Sequence, residues 1–142
     1  MKFDISIIVP TFNEEDCLPA LFLELEKIIE QLEKKYRIEV IFVDDHSSDK
    51  TIDLLRMAEK KYSWLNYIRI LKNQGSHLAI YTGLSFCRGM KAFVIGADLQ
   101  AKPSLIFEFT AALMKDLILS SRFSSLGLRV SGHAAERVLP PE

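Results

Sequence analysis

The sequence predicts an α/β fold, an open, mostly parallel, Rossmann-like sheet with helices on both faces. Two observations point to it. Short, continuous apolar runs alternate with longer stretches of helical periodicity, the pattern of buried strands joined by crossover helices. Polar and acidic residues gather just after the apolar runs, at the carboxyl ends of the strands, where open parallel sheets bind ligands.

Ile5-Ser6-Ile7-Ile8-Val9 reads as a strand buried on both faces and stopped by Pro10. Leu18, Leu21, Phe22, Leu25, Ile28, Ile29 and Leu32 form one stripe at helical spacing, predicting a helix from Asn13 to about Lys35. Thr11 with Glu14, and Asn13 with Asp16, have capping-box spacing, and Pro19 falls in the first turn, where it is tolerated. Glu24, Lys27, Glu30, Glu33 and Lys34 make the solvated face. Val40-Ile41-Phe42-Val43 is the second strand, ending in Asp44-Asp45. Ser47-Ser48-Asp49 is rich in capping residues, with Asp49 as N-cap, and Ile52, Leu55, Ala58 and Tyr62 give the next helix its inner face. Trp64 is expected to pack at the entrance to a third strand, Tyr67-Ile68-Arg69-Ile70-Leu71. After Gly75 comes a helix with Leu78, Ala79, Leu84 and Phe86 as core contacts, closed near Gly89. A strand from Ala92 to Ile95, a helix opened by Pro103 and a last short strand, Leu117-Ile118-Leu119, complete the pattern, which fades from Ser124 onward.

Composition narrows the function. A chain of 142 residues with 49% hydrophobic and 26% charged residues suits one globular domain with a real core. The net charge of -1, without Lys/Arg clusters interleaved with aromatics, argues against nucleic acid as a partner. Cys17 and Cys87 lack metal-ligand spacing and suit free thiols in a reducing compartment, Cys87 as a core residue. Met1-Lys2-Phe3-Asp4 carries no signal-peptide h-region, and no apolar stretch is long enough to span a bilayer, so a soluble, cytoplasmic protein is expected.

The chemistry concentrates in Gly96-Ala97-Asp98-Leu99-Gln100. Side chains alternate along an extended chain, so Asp98 and Gln100 point the same way and offer two oxygen ligands to a hard cation such as Mg²⁺ or Mn²⁺. Carboxylates also follow the first strand (Glu14, Glu15) and the second (Asp44, Asp45). No G-x-G-x-x-G follows the first strand and no Walker-type Gly-Lys-Ser/Thr occurs, which argues against nicotinamide dehydrogenases and P-loop NTPases. Asp44 has two open readings, a structural cap of the Ser47-Ser48 turn or a ligand contact. His77 reads as a surface or phosphate-proximal residue rather than a base, and His133 has no assigned role.

Four motifs in order resemble one family. Ile8-Val9-Pro10-Thr11-Phe12-Asn13-Glu14-Glu15, Val43-Asp44-Asp45-His46-Ser47-Ser48-Asp49-Lys50-Thr51, Asn73-Gln74-Gly75 with Ala79 and Gly83, and Ala97-Asp98-Leu99-Gln100-Ala101-Lys102-Pro103 look like the family 2 inverting glycosyltransferases of GT-A fold. The Asp-Leu-Gln-x-x-Pro element and the Asn-x-Gly-x-x-x-Ala helix resemble the dolichol- and polyprenol-phosphate sugar transferase branch. The resemblance covers about Ile5 to Phe123. It implies that Pro10, Phe12 and Glu14 hold the base and ribose of a nucleotide-sugar, Phe12 standing where Tyr is common. It further implies that Val43 and Asp45 lie at the base, that Ala97, Asp98 and Gln100 form the diphosphate–metal site, and that Arg122 contacts the donor phosphates. Asp98 is then the catalytic residue, with Asp98 and Gln100 as ligands of Mg²⁺ or Mn²⁺. The implied acceptor is a polyprenyl phosphate at the cytoplasmic membrane face, with the protein associated with that surface.

Three departures qualify what the resemblance implies. Gly96 stands where the family usually has Asp, which removes one anionic ligand. His46 stands where the turn usually holds Gly, so a positive φ there would carry a modest penalty. Residues 1–123 read as the nucleotide-sugar-binding region, whereas 124–142 do not resemble the family's acceptor side. That tail is expected to be loosely ordered or truncated, with self-association or a partner chain covering the surface near Leu117-Ile118-Leu119. Beside the catalytic reading stands a truncated, non-catalytic nucleotide-binding module acting with a partner chain. A receiver-like phosphoacceptor domain fits poorly, because Asn13-Glu14-Glu15 is not the acidic pair it would need.

Overall fold

A computed structural model describes residues 3–98, 102 and 104–115. The elements run β1 (Phe3–Thr11), α1 (Leu18–Leu32), β2 (Ile38–Asp44), α2 (Thr51–Lys61), β3 (Leu65–Arg69), α3 (Ser76–Phe86), β4 (Gly89–Val94) and α4 (Leu105–Met114). The four strands form one sheet in the order β3-β2-β1-β4, and every pairing is parallel. The predicted α/β class with a parallel sheet is what forms. β1 is central, in register with β2 from Ile5↔Ile38 to Thr11↔Asp44. Its apolar run has no solvent-facing side, because helices cover both faces.

The larger core packs α1, α2 and α4 on one face, with Ile5, Ile7, Val9, Val40 and Phe42 from the sheet meeting Leu25, Leu55 and Ile106. The buried residues of α1 are the seven of the predicted stripe. Ile52, Leu55, Ala58 and Tyr62 are buried as expected, and Trp64 stacks on Tyr62 with ring centroids 4.8 Å apart at the entrance to β3. Among the described residues the other face holds only α3, over Ile8, Ile41, Val43 and Val94.

Several expectations fail for identifiable reasons. α1 starts at Leu18 rather than Asn13, and its N-cap, Cys17, makes no side-chain capping bond. Thr11 belongs to β1 and donates its hydroxyl to the Val43 carbonyl at 3.1 Å, so neither capping box exists. β3 lies two residues earlier than predicted, because the turn from α2 closes at Tyr62, where the Leu65 N–H bonds the Tyr62 carbonyl. On α3 only Ala79 and Gly83 are buried, while Leu78, Leu84 and Phe86 are exposed rather than core. Pro103 and the 117–119 strand lie outside the described residues, as does the tail.

Gly89 does not close α3 but opens β4, and the reason is a polar knot toward the amino ends of the strands. Glu39, fully buried within apolar β2, accepts the Ser6 hydroxyl at 2.6 Å and the Arg88 backbone N–H at 2.6 Å on one oxygen. Its other oxygen takes the Arg88 guanidinium at 2.9 and 2.8 Å, and the Gly89 N–H donates to the Ser6 hydroxyl at 2.8 Å. A buried carboxylate is tolerated only with its lone pairs satisfied, and here Ser6 of β1 and Arg88, just ahead of β4, supply the partners. A Cβ at residue 89 would lie 2.5 Å from the Ser6 nitrogen and 2.6 Å from its hydroxyl, so no side chain fits.

Gly89→Ala must therefore push β4 off β1, and a loss of about 3 kcal/mol is expected in denaturant unfolding, at the upper end for overpacking. A loss under about 1 kcal/mol, within the range of unremarkable substitutions, would show that β4 shifts freely and that the knot does not set its register.

Candidate functional site

Two loops at the carboxyl edge of the sheet, after β1 and after β2, are bonded to each other. The Asn13 N–H donates to the Ser47 hydroxyl at 2.9 Å, and the Asn13 side-chain oxygen accepts the Ser48 N–H at 2.9 Å. The Glu14 N–H donates to the Thr51 hydroxyl at 2.9 Å. The Glu15 N–H reaches the Asp49 carboxylate at 3.2 Å, while the Glu15 carboxylate accepts the Lys50 N–H at 2.9 Å. The polar residues that resemble capping sequences are spent on this exchange. Asn13 adopts a φ of +50°, a left-handed conformation that Asn tolerates better than most residues. That turn leaves Phe12 with 45% of its surface exposed at the strand end.

The β2 end is similarly determined. Asp44 is fully buried and accepts both the N–H and the hydroxyl of Ser47, and the Arg69 Nε lies 3.4 Å from its other oxygen. Of its two readings, the structural cap is the one these bonds describe. Asp45 is 3% exposed, and its two oxygens accept the Gln74 and Gly75 N–H groups at 2.9 and 2.8 Å. These bonds fix the entry to α3, where Gly75 turns with φ +92°. His46 does carry a positive φ, +60°, and its Nδ1 lies 3.3 Å from the Ile70 carbonyl.

Across β1, the turn after β4 brings Asp98 to the same edge. Burial pushes the Glu14 carboxyl above its ordinary value, the negative charge of Asp98 adds to that, and a hydrogen bond from Cys17 works against it. Burial also raises the Cys17 thiol, helped by the Glu14 charge. Burial opposes ionisation of Asp49, but the hydroxyl and N–H of Thr51 and the N–H of Glu15 outweigh it and hold that carboxyl below its usual range. Carboxylates that repel one another suit a cation. Among the described residues, however, no group of three or more His, Cys, Asp or Glu side chains converges as a metal site. A hard cation held here would rely on Asp98 and complete its shell with ligand oxygens and water.

Of the predicted site residues, the fold brings Pro10, Phe12, Glu14, Asp45 and Asp98 to one edge. Val43 and Ala97 are buried, Val43 beneath α3 and Ala97 in the larger core, so they meet that edge through the backbone they carry. Gln100 and Arg122 lie outside the described residues. Sequence reasoning missed the partners of Asn13, Glu15 and Asp49; an excess of Asn, Ser, Thr and Asp in two loops was the available signal.

Residues 6–137 match the family model for glycosyl transferase family 2. The chain belongs to that family. It is 30% identical, over 99% of its length, to an uncharacterized glycosyltransferase of Synechocystis sp., of which it covers 48%. Over 75% of its length it is 38% identical to an undecaprenyl-phosphate 4-deoxy-4-formamido-L-arabinose transferase of Pseudomonas syringae pv. syringae, covering 31% of that protein. The chain thus spans about a third to a half of these relatives. Its fold is similar to a Pyrobaculum calidifontis mannosyltransferase in complex with GDP-Man and Mn²⁺, with a TM-score of 0.58 and 26% identity over 74% of this chain and 31% of that one. S. aureus TarS 1-349 in complex with UDP-GlcNAc shares the fold at a TM-score of 0.64 and 23% identity, over 80% of this chain and 32% of that one. The expected family and the GT-A resemblance are both met. Among the described residues no helix is long and apolar enough to cross a membrane.

The raised Glu14 carboxyl has a consequence for stability. An acid whose folded pKa exceeds its unfolded one costs stability as pH climbs from the unfolded to the folded value, and costs nothing below both. Glu14→Gln is therefore expected to be more stable than the parent at pH 7, with the difference vanishing below about pH 4, under the ordinary carboxylate range. Denaturant unfolding at acidic and neutral pH measures this; a variant no more stable at pH 7 would mean that the Glu14 charge is compensated in the folded chain.

Proposed function

We propose that this chain supplies the donor-binding part of an inverting glycosyltransferase that moves a sugar from a nucleoside diphosphate to a polyprenyl phosphate. One observation carries the reading. The exposed Phe12 and the half-buried Glu14 are locked against the Asp45 loop on one side of β1, with Asp98 on the other, so aromatic, acceptor and anionic groups share one edge. Pro10, Phe12 and Glu14 take the base and ribose, with Asp45 beside the base. Asp45 has both oxygens engaged with backbone N–H groups, so a base would bind alongside those bonds, using remaining lone pairs.

Asp98 and Gln100 would hold Mg²⁺ or Mn²⁺, which neutralises charge developing on a leaving diphosphate. Arg122 is the further cationic partner for the donor phosphates. A lipid phosphate is already ionised when it attacks the anomeric carbon, so little general-base assistance is needed. The acceptor assignment rests on the arabinose transferase relatives, whose names specify undecaprenyl phosphate. The second reading, a non-catalytic nucleotide-binding module acting with a partner chain, draws support from Gly96 in place of the family's Asp.

Calorimetry with UDP and GDP tests the donor site. Binding is expected to strengthen with Mn²⁺ or Mg²⁺, and Asp98→Ala to weaken the metal-dependent part about tenfold or more, since even groups that only orient ligands cost that much. Unchanged binding would remove Asp98 from the site.

Gly96→Asp is expected to strengthen the same metal dependence. A Cβ there would lie 3.1 Å from Asp98 Oδ1, a side-chain tip free to give way. Metal dependence that stays the same would show that the site is not short of an anionic ligand.

A further inference from the structure

His46 holds a side chain where a glycine would be unstrained. Its φ of +60° lies in the left-handed region, which glycine enters freely and histidine at a modest cost. Such positions cluster at ligand clamps and active sites. The residue is exposed at the end of β2, next to Asp45, and its Nδ1 lies 3.3 Å from the Ile70 carbonyl. A carbonyl oxygen only accepts, so Nδ1 carries the hydrogen. In a neutral imidazole that leaves Nε2 as a bare acceptor.

The hydrogen-bond donors around it are already engaged. The Asp45 N–H bonds the Thr11 carbonyl at 2.9 Å, and the Ile70 N–H bonds the Asp44 carbonyl at 2.9 Å. Ser47 gives both its N–H and its hydroxyl to Asp44, and Ser48 gives its N–H to Asn13. The Gln74 and Gly75 N–H groups go to the two Asp45 oxygens, and Arg69 Nη2 goes to the Ser47 carbonyl at 3.1 Å. What this end of β2 still offers at fixed positions is acceptor capacity: the remaining lone pairs of Asp45 and the Nε2 of His46.

An edge of acceptors sorts the nucleobases. Guanine presents two adjacent donors, N1–H and the 2-amino group, whereas uracil presents one N–H between two carbonyl oxygens. A uracil carbonyl on this edge would face an acceptor, giving up a hydrogen bond to water and gaining none. Adenine and cytosine likewise set a ring-nitrogen acceptor beside their amino group. We infer that His46, together with Asp45, selects guanine as the base of the donor nucleotide. Asp45, the deeper of the two, accepts from N1–H, and His46 Nε2, at the rim, accepts from the 2-amino group. The glycine usual at this turn has no side chain to do so. The inference rests on the donor-site reading and adds the base to it.

Calorimetry with Mg²⁺ and three ligands tests this: GDP, UDP and inosine diphosphate, which is GDP without the 2-amino group. The parent should bind GDP about fivefold tighter than inosine diphosphate, the worth of one hydrogen bond, and about tenfold or more tighter than UDP. His46→Gly should bind GDP and inosine diphosphate equally, at the parent's affinity for inosine diphosphate. Glycine suits the turn, so the variant's melting temperature should not fall. A general loosening of the loop would instead weaken both nucleotides alike and keep the parent's preference. Such a surviving preference, or UDP bound as tightly as GDP by the parent, would overturn the inference and leave the donor site standing. Binding of none of the three would overturn the donor-site reading and the inference with it.

Discussion

The candidate site depends on one constraint, that the chain after β1 and the chain after β2 complete each other's hydrogen bonds. Neither loop has a helix or strand of its own to satisfy its backbone. Asn13, Glu14 and Glu15 give their N–H groups to Ser47, Thr51 and Asp49, while Ser48 and Lys50 give theirs to Asn13 and Glu15. Each loop is therefore a template for the other, and two non-glycine residues, Asn13 and His46, hold left-handed backbone within the arrangement. Such strain persists where the surroundings over-determine it, and it leaves Phe12 exposed and Glu14 within electrostatic reach of Asp98.

The parallel sheet makes this economy possible and also needs a counterweight. All strands point their carboxyl ends the same way, so polar side chains accumulate at that edge and the opposite edge is left to structure. There Glu39, Ser6, Arg88 and Gly89 bind β2, β1 and β4 together, and that knot fixes where β4 begins. The position of Asp98 relative to Glu14 is thus set from both ends of the sheet: by register at the knot, and by the Ile95 N–H bond to the Ile8 carbonyl at 3.0 Å near the site.

Much of this was legible in the sequence, and the failures share a cause. The stripe of α1 and the inner face of α2 came through intact, because an amphipathic helix on a sheet has one periodic solution. β1 and β2 were equally plain as apolar runs. α3 misled because it is apolar all round, so periodicity could not say which side met the sheet; the small pair Ala79 and Gly83 was the better guide. Thr11 and Asn13 were right in type and wrong in partner, whereas Asp49 does accept the Thr51 N–H at 2.9 Å at the start of α2. Asn13 and Glu15 bond groups 34 or 35 residues away, and a local pattern carries no information about that distance. Glu39 was a visible anomaly in an apolar strand, but only the fold shows Ser6 and Arg88 beside it. At the site, Phe12, Glu14, Asp45 and Asp98 share an edge as the motifs implied, while Val43 and Ala97 are buried beneath it.

The central claim is that this edge is one preorganised donor site. Backbone amide chemical shifts recorded while GDP or UDP is added with Mg²⁺ test it most directly. The account predicts that the largest shifts fall together on residues 10–15, 44–48 and 96–98, with smaller ones at Gln74 and Gly75 through Asp45. Shifts confined elsewhere, for instance to the groove between Tyr36, Arg37 and Trp64 at the opposite edge, or a chain unresponsive to either nucleotide, would contradict it.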